Sequence, residues 1–477
     1  MKRSSGVLMH LTSLWGEYSI GAAGKEAMEW IDFLAEHGFH LWQVLPFCLP
    51  DECNSPYKSY SSFSYHPFLI DLDDLCARGL LTEEECAAAK QKTPYSCEFE
   101  RLWNERLPLL QKAAQRFGDW DAVDQFMESH KHTAAFCDFM ALKSVNDQKP
   151  WTQWTVTEPD QQTRRLWRFT QYIFYTQWQK IREYAKKKNV KIVGDIPIYV
   201  AWDSADVWKN PQYFSLDQRN LPTAVAGVPP DYFCADGQLW GNPLYDWDRM
   251  KKDHFLWWRE RLAFMLELFD GVRIDHFRGF ASYYAIPYGA ETAKEGKWET
   301  GPGMDLIRSL KEVAKDSLLI AEDLGDITPD VKELVDESGF PGMRVFQFGF
   351  LGDVDSIHLP HQYSNHCVAY TGTHDNNTLL GYVWELDEKS RRYMLEYCGY
   401  TGEDWNRGYD SILRTMFESH AGILILPVQD LLLYGSDTRL NTPGRSHGNW
   451  SYRITKDQLC NMDGSKFQRW NRMYGRT

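Results

Sequence analysis

The sequence lacks the features that mark a secreted, membrane-spanning or nucleic-acid-binding chain. Its ten cysteines are scattered, with no Cys-x-x-Cys pair and no paired histidines at zinc-binding spacing. No apolar run approaches the length of a membrane span, and residues 1–6 lead directly into a predicted strand instead of a signal segment. Acidic residues outnumber basic ones, 66 to 52, giving a formal charge of −14 with no long Lys/Arg block. We therefore expect a cytoplasmic protein that binds neither nucleic acid nor a membrane.

Aromatic residues, by contrast, are abundant and make up 15% of the chain, including 20 Trp and 25 Tyr. Rings that offer an apolar face and a polar edge suit a neutral, polyhydroxylated ligand. The alternative is that the rings simply fill the core and the surface, and composition alone slightly favours that alternative.

Short apolar runs alternate with helical patterns along the chain, and we interpret these runs as strands. They start near residues 6, 41, 190, 271, 318, 343, 367 and 422. Eight such units predict an α/β fold, namely a (β/α)8 TIM barrel that forms a single domain over residues 1–477.

Two stretches are too long to be simple connections between barrel strands. The first, residues 72–165, has mostly helical patterns and predicts a helical insertion after the second strand. The second, residues 201–250, contains Pro229, Pro230 and several glycines without periodicity, which predicts a rigid loop. We expect such loop insertions at the carboxyl-end face of the barrel and assign a lid to the second one.

Acidic side chains follow four of the predicted strands. Asp195, Asp275, Glu322 and Asp375 come after the third, fourth, fifth and seventh strands. The carboxyl ends of barrel strands meet at one face, so we expect these side chains to converge there. Close carboxylates cannot all ionise freely, and the neighbouring Arg273 should push their pKa values apart.

Each of these residues also has a simpler interpretation. A single aspartate at a strand end is more often a cap or a structural ion pair, and His276 or His374 alone would more often be structural. A metal site is conceivable with so many carboxylates, but no histidine spacing supports one. Four acidic positions after separate strands favour a reactive site. One ionised and one protonated carboxyl group could cleave a glycosidic bond by double displacement.

Several segments resemble a known family. The four signature regions of the α-amylase superfamily have counterparts that resemble them at residues 194–197, 271–280, 321–325 and 373–378. Within these segments the amino-acid sequence resembles that of the 4-alpha-glucanotransferase family, also called amylomaltase or disproportionating enzyme. Further similarity lies at residues 11–14, 42–46, 55–57, 226–243 and 441–450. The resemblance therefore runs from near residue 6 to near residue 453.

The resemblance implies a role for individual residues. It makes Asp275 the nucleophile, Glu322 the general acid/base and Asp375 the stabiliser of the transition state. The substrate-binding residues that it implies are Tyr57, Asp195, Arg273, His276, His374, Asp231, Tyr232, Phe233, Gln238, Trp240 and Asn441.

The resemblance also implies an activity, the transfer of an α-1,4-glucan segment from one maltodextrin to the 4-OH of another glucose or glucan. The partners would be maltooligosaccharides and α-1,4-glucans, with neither a cofactor nor a metal, and the protein would be a monomer or a weak homodimer. An α-1,4-glucan hydrolase of the same superfamily is the nearest alternative, since it would share the catalytic residues. A non-catalytic glucan-binding barrel is a more distant one.

Overall fold

The computed structural model describes residues 1–230, 235–351, 354–445 and 447–477. The strands within these ranges are β1 (Ser4–Leu8), β2 (Leu41–Gln43), β3 (Lys191–Ile196), β4 (Ala224–Val228), β5 (Gln238–Pro243), β6 (Gly271–Ile274), β7 (Ser282–Pro287), β8 (Lys297–Thr300), β9 (Leu318–Ala321), β10 (Gly342–Val345), β11 (Cys367–Tyr370) and β12 (Ile423–Pro427).

The helices lie between and around these strands and are joined in places by short 3-10 turns. They are α1 (Lys25–Glu36), α2 (Leu72–Ala77), α3 (Glu83–Ala88), α4 (Phe99–Arg101), α5 (Leu107–Arg116), α6 (Trp120–Ser129), α7 (Lys131–Val145), α8 (Gln161–Lys187), α9 (Ala205–Lys209), α10 (Trp247–Lys252), α11 (Leu256–Leu268), α12 (Gly303–Ala314), α13 (Pro329–Ser338), α14 (Leu379–Glu385), α15 (Glu388–Tyr397), α16 (Trp405–Glu418), α17 (Val428–Leu431), α18 (Lys456–Cys460) and α19 (Ser465–Met473).

A closed parallel barrel forms the centre of the molecule. Its strand order is β1-β12-β11-β10-β9-β6-β3-β2, so barrel neighbours follow one another in the sequence and β12 returns to pair with β1. The (β/α)8 barrel predicted from the eight apolar runs is confirmed. The strands are nearly all buried, which explains why they read as continuous apolar runs without alternation.

A second, antiparallel sheet lies outside the barrel, with the order β5-β4-β7-β8. It combines two strands from the segment before β6 with two strands that follow β6. The sequence predicted a rigid loop within residues 201–250, but part of that segment forms the strands β4 and β5. The glycines and prolines that suggested a loop lie within or beside short strands, and the pairing of β4 with β5 is irregular between Val225 and Gly227.

Helices α2 to α8 fill the stretch between β2 and β3. The longest of them, α8, continues to the start of β3 and packs against the barrel, where Trp178 contacts Trp42 at 6.1 Å and Phe47 at 4.7 Å between ring centres. One helix thus belongs both to the helical stretch and to the barrel wall. The bounds 72–165 for the helical insertion and 201–250 for the insertion that carries the lid stay predictions.

The barrel closes at a seam where β1 pairs with β12. Helix α19 and the residues that follow it make hydrogen bonds across this seam. Arg476 donates hydrogen bonds to the carbonyl oxygens of Phe417 (2.8 Å) and Ser4 (3.2 Å). The hydroxyl of Ser5 donates to Asn471 on α19 at 2.5 Å. Residues more than 400 positions apart are therefore joined here.

Among the described residues, none of the helices combines the length and the apolar character that a membrane crossing requires.

A glycine in β3 allows close packing directly beside the predicted site. A Cβ on Gly194 would come within 2.2 Å of the ring of Phe269, which is buried in the core. The Phe269 ring therefore packs directly against the backbone of Gly194, one residue before Asp195.

We expect the substitution Gly194→Ala to lower the melting temperature, measured by differential scanning calorimetry. The added methyl group would overlap the Phe269 ring, and overpacking of this kind costs about 1–3 kcal/mol. Gly118→Ala is the matched control, since a Cβ there meets nothing within 4 Å. Equal melting temperatures for the two variants would contradict the close packing at β3.

Candidate active site

Strand register brings the predicted acidic residues to one level of the barrel. In the pairing of β3 with β6, Asp195 lies opposite Arg273. The last residues of β6 and β9 are also paired, so Asp275 and Glu322, which follow them, leave adjacent strands side by side. Asp195 lies one residue inside the end of β3 instead of after it, and its side chain still joins the group.

Arg273 is the buried cation that connects these acids. Its Nη1 donates to both carboxylate oxygens of Asp195, at 2.9 and 2.7 Å, and its Nη2 lies 2.9 Å from Oδ1 of Asp275. Burial opposes the charge of the guanidinium, but the two carboxylates outweigh burial and raise the pKa of Arg273 well above its usual value. One guanidinium therefore fixes the positions of two carboxylates.

Asp195 is fully buried at the floor of the site. Besides the bonds from Arg273, it accepts a hydrogen bond from the hydroxyl of Tyr57 at 2.7 Å. Burial raises the pKa of Asp195, against the attraction of Arg273. With its oxygens occupied by these two partners, Asp195 serves to hold Tyr57 and Arg273 in place.

Glu322 lies in an environment that favours its protonated form. Burial raises its pKa to about 8; the negative Asp275 adds to the increase, and Arg273 opposes it. The backbone amides of His276 (2.6 Å) and Leu324 (3.0 Å) donate to its two oxygens and fix the orientation of the carboxyl group. Glu322 can therefore donate a proton at neutral pH.

Asp375 has the opposite character. Its side chain is 46% exposed, and its oxygens are contacted by Asn441 Nδ2 at 2.6 Å and His374 Nε2 at 3.4 Å. Burial by the surrounding chain would raise its pKa, but His374 and Asn441 lower it well below the usual range. Asp375 is therefore a carboxylate that faces the open side of the site.

Three aromatic rings form one wall beside Asp375. Tyr57 and His374 are stacked at 4.8 Å between ring centres, and the Tyr57 hydroxyl lies 3.3 Å from His374 Nδ1. Trp450 packs against both, at 6.0 and 5.9 Å. The sequence did not single out Trp450, although its segment contributed to the family resemblance. Its φ of 67° is rare for a residue with a side chain, so its position is held by this packing.

His276, whose backbone amide donates to Glu322, packs against Trp240. Their rings meet edge to face at 4.9 Å, and Trp240 Nε1 donates to Gln238 at 3.1 Å. Burial lowers the pKa of His276 to about 4, and the positive Arg278 adds to this effect, so the imidazole is neutral. The predicted lid residues Asp231, Tyr232 and Phe233 lie outside the described residues.

Sequence reasoning missed a buried aspartate that supports the Asp375 turn. Asp430 follows β12 and accepts hydrogen bonds from the Thr371 hydroxyl (2.5 Å) and the Leu379 amide (2.8 Å). Burial raises its pKa to about 6. These bonds connect the end of β11 to the start of α14, on either side of Asp375. The signal was present, since Asp430 also follows an apolar strand.

The site as a whole offers two carboxyl groups with different partners at the ends of adjacent strands. Asp275 forms an ion pair with Arg273, and Glu322 can hold a proton. A carboxylate that attacks and a carboxyl group that protonates are the two parts of a double displacement. In the described part of the chain, no three His, Cys, Asp or Glu side chains are grouped so as to hold a metal ion.

Comparison with known proteins gives matches along nearly the whole chain. A family model described as 4-alpha-glucanotransferase matches residues 9–458. A 4-alpha-glucanotransferase of Streptococcus pneumoniae is 42% identical, with 96% of this chain and 94% of the relative covered. That of Clostridium butyricum is 39% identical, with 98% of this chain and 100% of the relative covered.

Solved structures agree with these matches. An amylomaltase from Streptococcus agalactiae in complex with acarbose superposes with a TM-score of 0.95 at 35% identity over 100% of both chains. An amylomaltase from Corynebacterium glutamicum gives a TM-score of 0.82 at 16% identity, covering 100% of this chain and 75% of the other, which is a likeness of fold alone. The matched residues include every strand end that carries a candidate acid.

We expect the pKa of Glu322, about 8 in the parent, to fall in the variant Asp275→Asn, because the substitution removes a negative charge that raises it. The pKa can be followed by 13C NMR of protein labelled at the glutamate carboxyl carbons, with Glu322→Gln to identify the signal. Asp305→Asn, which neutralises a half-exposed aspartate on α12, is the control and should leave the pKa of Glu322 unchanged. An unaltered pKa in Asp275→Asn would show that the two carboxyl groups do not interact.

Proposed function

The chain belongs to the 4-alpha-glucanotransferase family, and we propose that it transfers glucan segments by a retaining double displacement with Asp275 and Glu322 as the reacting groups. As a member of this family it is a glycosyltransferase that acts on α-1,4-glucans. The observation that supports the mechanism is the contrast between Asp275, paired with Arg273, and Glu322, which has a raised pKa.

The first step forms a covalent intermediate. Glu322 gives its proton to the glycosidic oxygen while a carboxylate oxygen of Asp275 bonds to the anomeric carbon. The bond between that carbon and the glycosidic oxygen breaks, and the released segment leaves with the proton as a free 4-OH. The donor segment then remains attached to Asp275 as an ester.

The second step reverses the first with a new partner. The 4-OH of an acceptor glucan gives its proton to Glu322, now a carboxylate, and its oxygen displaces Asp275 from the anomeric carbon. The ester on Asp275 carries no negative charge, so a cause of the raised pKa of Glu322 is removed while the intermediate exists. Glu322 is thereby suited to act as an acid first and as a base second.

The other residues hold the sugar and its developing charge. Asp375, an exposed carboxylate oriented by Asn441, would stabilise the positive charge that grows on the reacting ring. Tyr57 and His374 form a stacked wall beside it, and we assign them, with Asp195 below, to the sugar that is attacked. Arg273 holds Asp275 in position for attack.

A lid on the acceptor side would favour transfer over hydrolysis. We propose that it consists of Asp231, Tyr232, Phe233, Gln238 and Trp240. Its position is supported by Trp240, which contacts His276, the residue whose amide donates to Glu322. A cover that orders the acceptor sugar and excludes water directs the intermediate towards a sugar hydroxyl.

We also propose that the enzyme acts in the cytoplasm on maltooligosaccharides and longer α-1,4-glucans, as a monomer or a weak homodimer. The cysteines of the described residues support the location, because all of them are free thiols.

Incubation with maltotriose tests transfer against hydrolysis. We expect glucose together with a ladder of longer chains and no net gain of reducing ends, because each bond broken is replaced by one formed. Products are separated by chromatography, and reducing ends are measured in parallel. A rise in reducing ends without longer chains would identify a hydrolase and overturn the proposed transfer.

The substitution Asp275→Asn tests the nucleophile. We expect transfer to fall by roughly 10³- to 10⁶-fold, as for the loss of other enzymatic nucleophiles, while binding of maltodextrins remains measurable by calorimetry. Asp305→Asn, at a half-exposed position on α12, is the matched control and should keep parental activity. Near-parental transfer by Asp275→Asn would mean that another residue attacks the sugar.

A further inference from the structure

Two exposed tryptophans form a stacked pair on the outside of the barrel. Trp384, at the end of α14, is 57% exposed, and Trp405, at the start of α16, is 37% exposed. Their rings lie 5.0 Å apart between centres at an angle of 29°. Burying such rings is strongly favourable, so two of them held together at the surface point to a ligand.

Arg391 on α15 completes the pair. Its guanidinium lies 5.6 Å from the ring centre of Trp384 and 5.5 Å from that of Trp405. Because it is almost equidistant from the two rings, it lies beside the stack and covers neither outer face. An indole face and a set of N–H donors are therefore presented together.

The pair is connected directly to the active site. Helix α14 begins four residues after Asp375, and the hydroxyl of its N-cap residue Thr378 accepts a hydrogen bond from the Gly381 amide in the first turn. At its other end Glu385, which follows Trp384, accepts a hydrogen bond from Asn377 Nδ2 at 2.6 Å. The turn that carries Asp375 therefore precedes the first residue of this short helix, and Trp384 of the tryptophan pair lies at its last turn.

We propose that Trp384, Trp405 and Arg391 form a second binding site for glucan, which holds a part of a long α-1,4-glucan chain that extends beyond the active site. The apolar face of a glucose ring would stack on the indole, and the guanidinium would donate to its hydroxyls. The inference rests on the proposed function, since it takes its ligand from the glucan substrate. The short helix between the two sites explains how one polymer could reach both.

The surroundings favour a sugar over a protein partner. Exposed residues of both charges lie next to the pair in the sequence: Glu388, Arg392, Asp404 and Arg407. The core of a protein interface is depleted of charged residues, whereas two rings within a polar surface suit a polyhydroxylated chain. The pair is therefore a local platform for a ligand that is itself polar.

The test separates a polymeric substrate from a short one. Amylose binding is measured by affinity gel electrophoresis in the Asp275→Asn background, where turnover does not consume the ligand. We expect Trp384→Ala and Trp405→Ala each to weaken amylose binding by about fivefold to tenfold. In the active background both variants should keep the parental kcat and KM for maltotriose, which is too short to occupy both sites.

Tyr95→Ala is the control, because Tyr95 is 60% exposed but has no second ring stacked on it in the described structure. It should bind amylose as the parent does.

Parental amylose binding by both tryptophan variants would overturn the proposal. An equal loss of amylose binding and of activity on maltotriose would also overturn it. A change of oligomeric state with unaltered amylose binding would also overturn it, since the pair would then be a contact between copies of the chain. Absence of maltotriose transfer by the parent would instead refute the proposed function.

Discussion

The catalytic end of the barrel depends on one buried guanidinium. Arg273 projects from β6 between Asp195 and Asp275 and bonds to both. Each carboxylate alone would be costly at this depth, and breaking a buried pair by removing one partner costs about 3–5 kcal/mol. A lysine could not replace it, because a single ammonium group lacks the planar fork that reaches two acids in fixed directions. The geometry of the attacking group, Asp275, therefore depends on the buried ion pair between Arg273 and Asp195.

Around this network the protein gives three carboxyl groups three different environments. Glu322 is buried near a negative neighbour and binds its proton more tightly, whereas Asp375 is solvated and receives hydrogen bonds from two side chains. Asp275 forms an ion pair with the buried Arg273. The same chemical group therefore serves as an acid, as a nucleophile and as an electrostatic stabiliser because of its neighbours and not because of its intrinsic acidity.

The sequence predicted the parts of this arrangement that follow the repeated alternation of apolar strands and helices. Each barrel strand is a short apolar run, and an acid at its end is visible without any structure. Trp450 was not found, because its role comes from packing against Tyr57 and His374, which lie far away in the chain. The antiparallel sheet was not found either, since β4 and β5 contain glycine and β5 and β7 end on proline. Asp430 could have been found by the rule that found Asp375, as it also follows a barrel strand.

The seam between β1 and β12 has a consequence for biosynthesis. The first strand leaves the ribosome early, but its partner is more than 400 residues later, and Arg476 and Asn471 fasten the seam from still further along. Growing chains fold from the amino terminus as they emerge. A partly synthesised barrel must therefore keep an open edge on β1 until β12 has been made. A nascent chain that stalled just before residue 423 would carry every acid of the site and still lack the strand that closes the barrel.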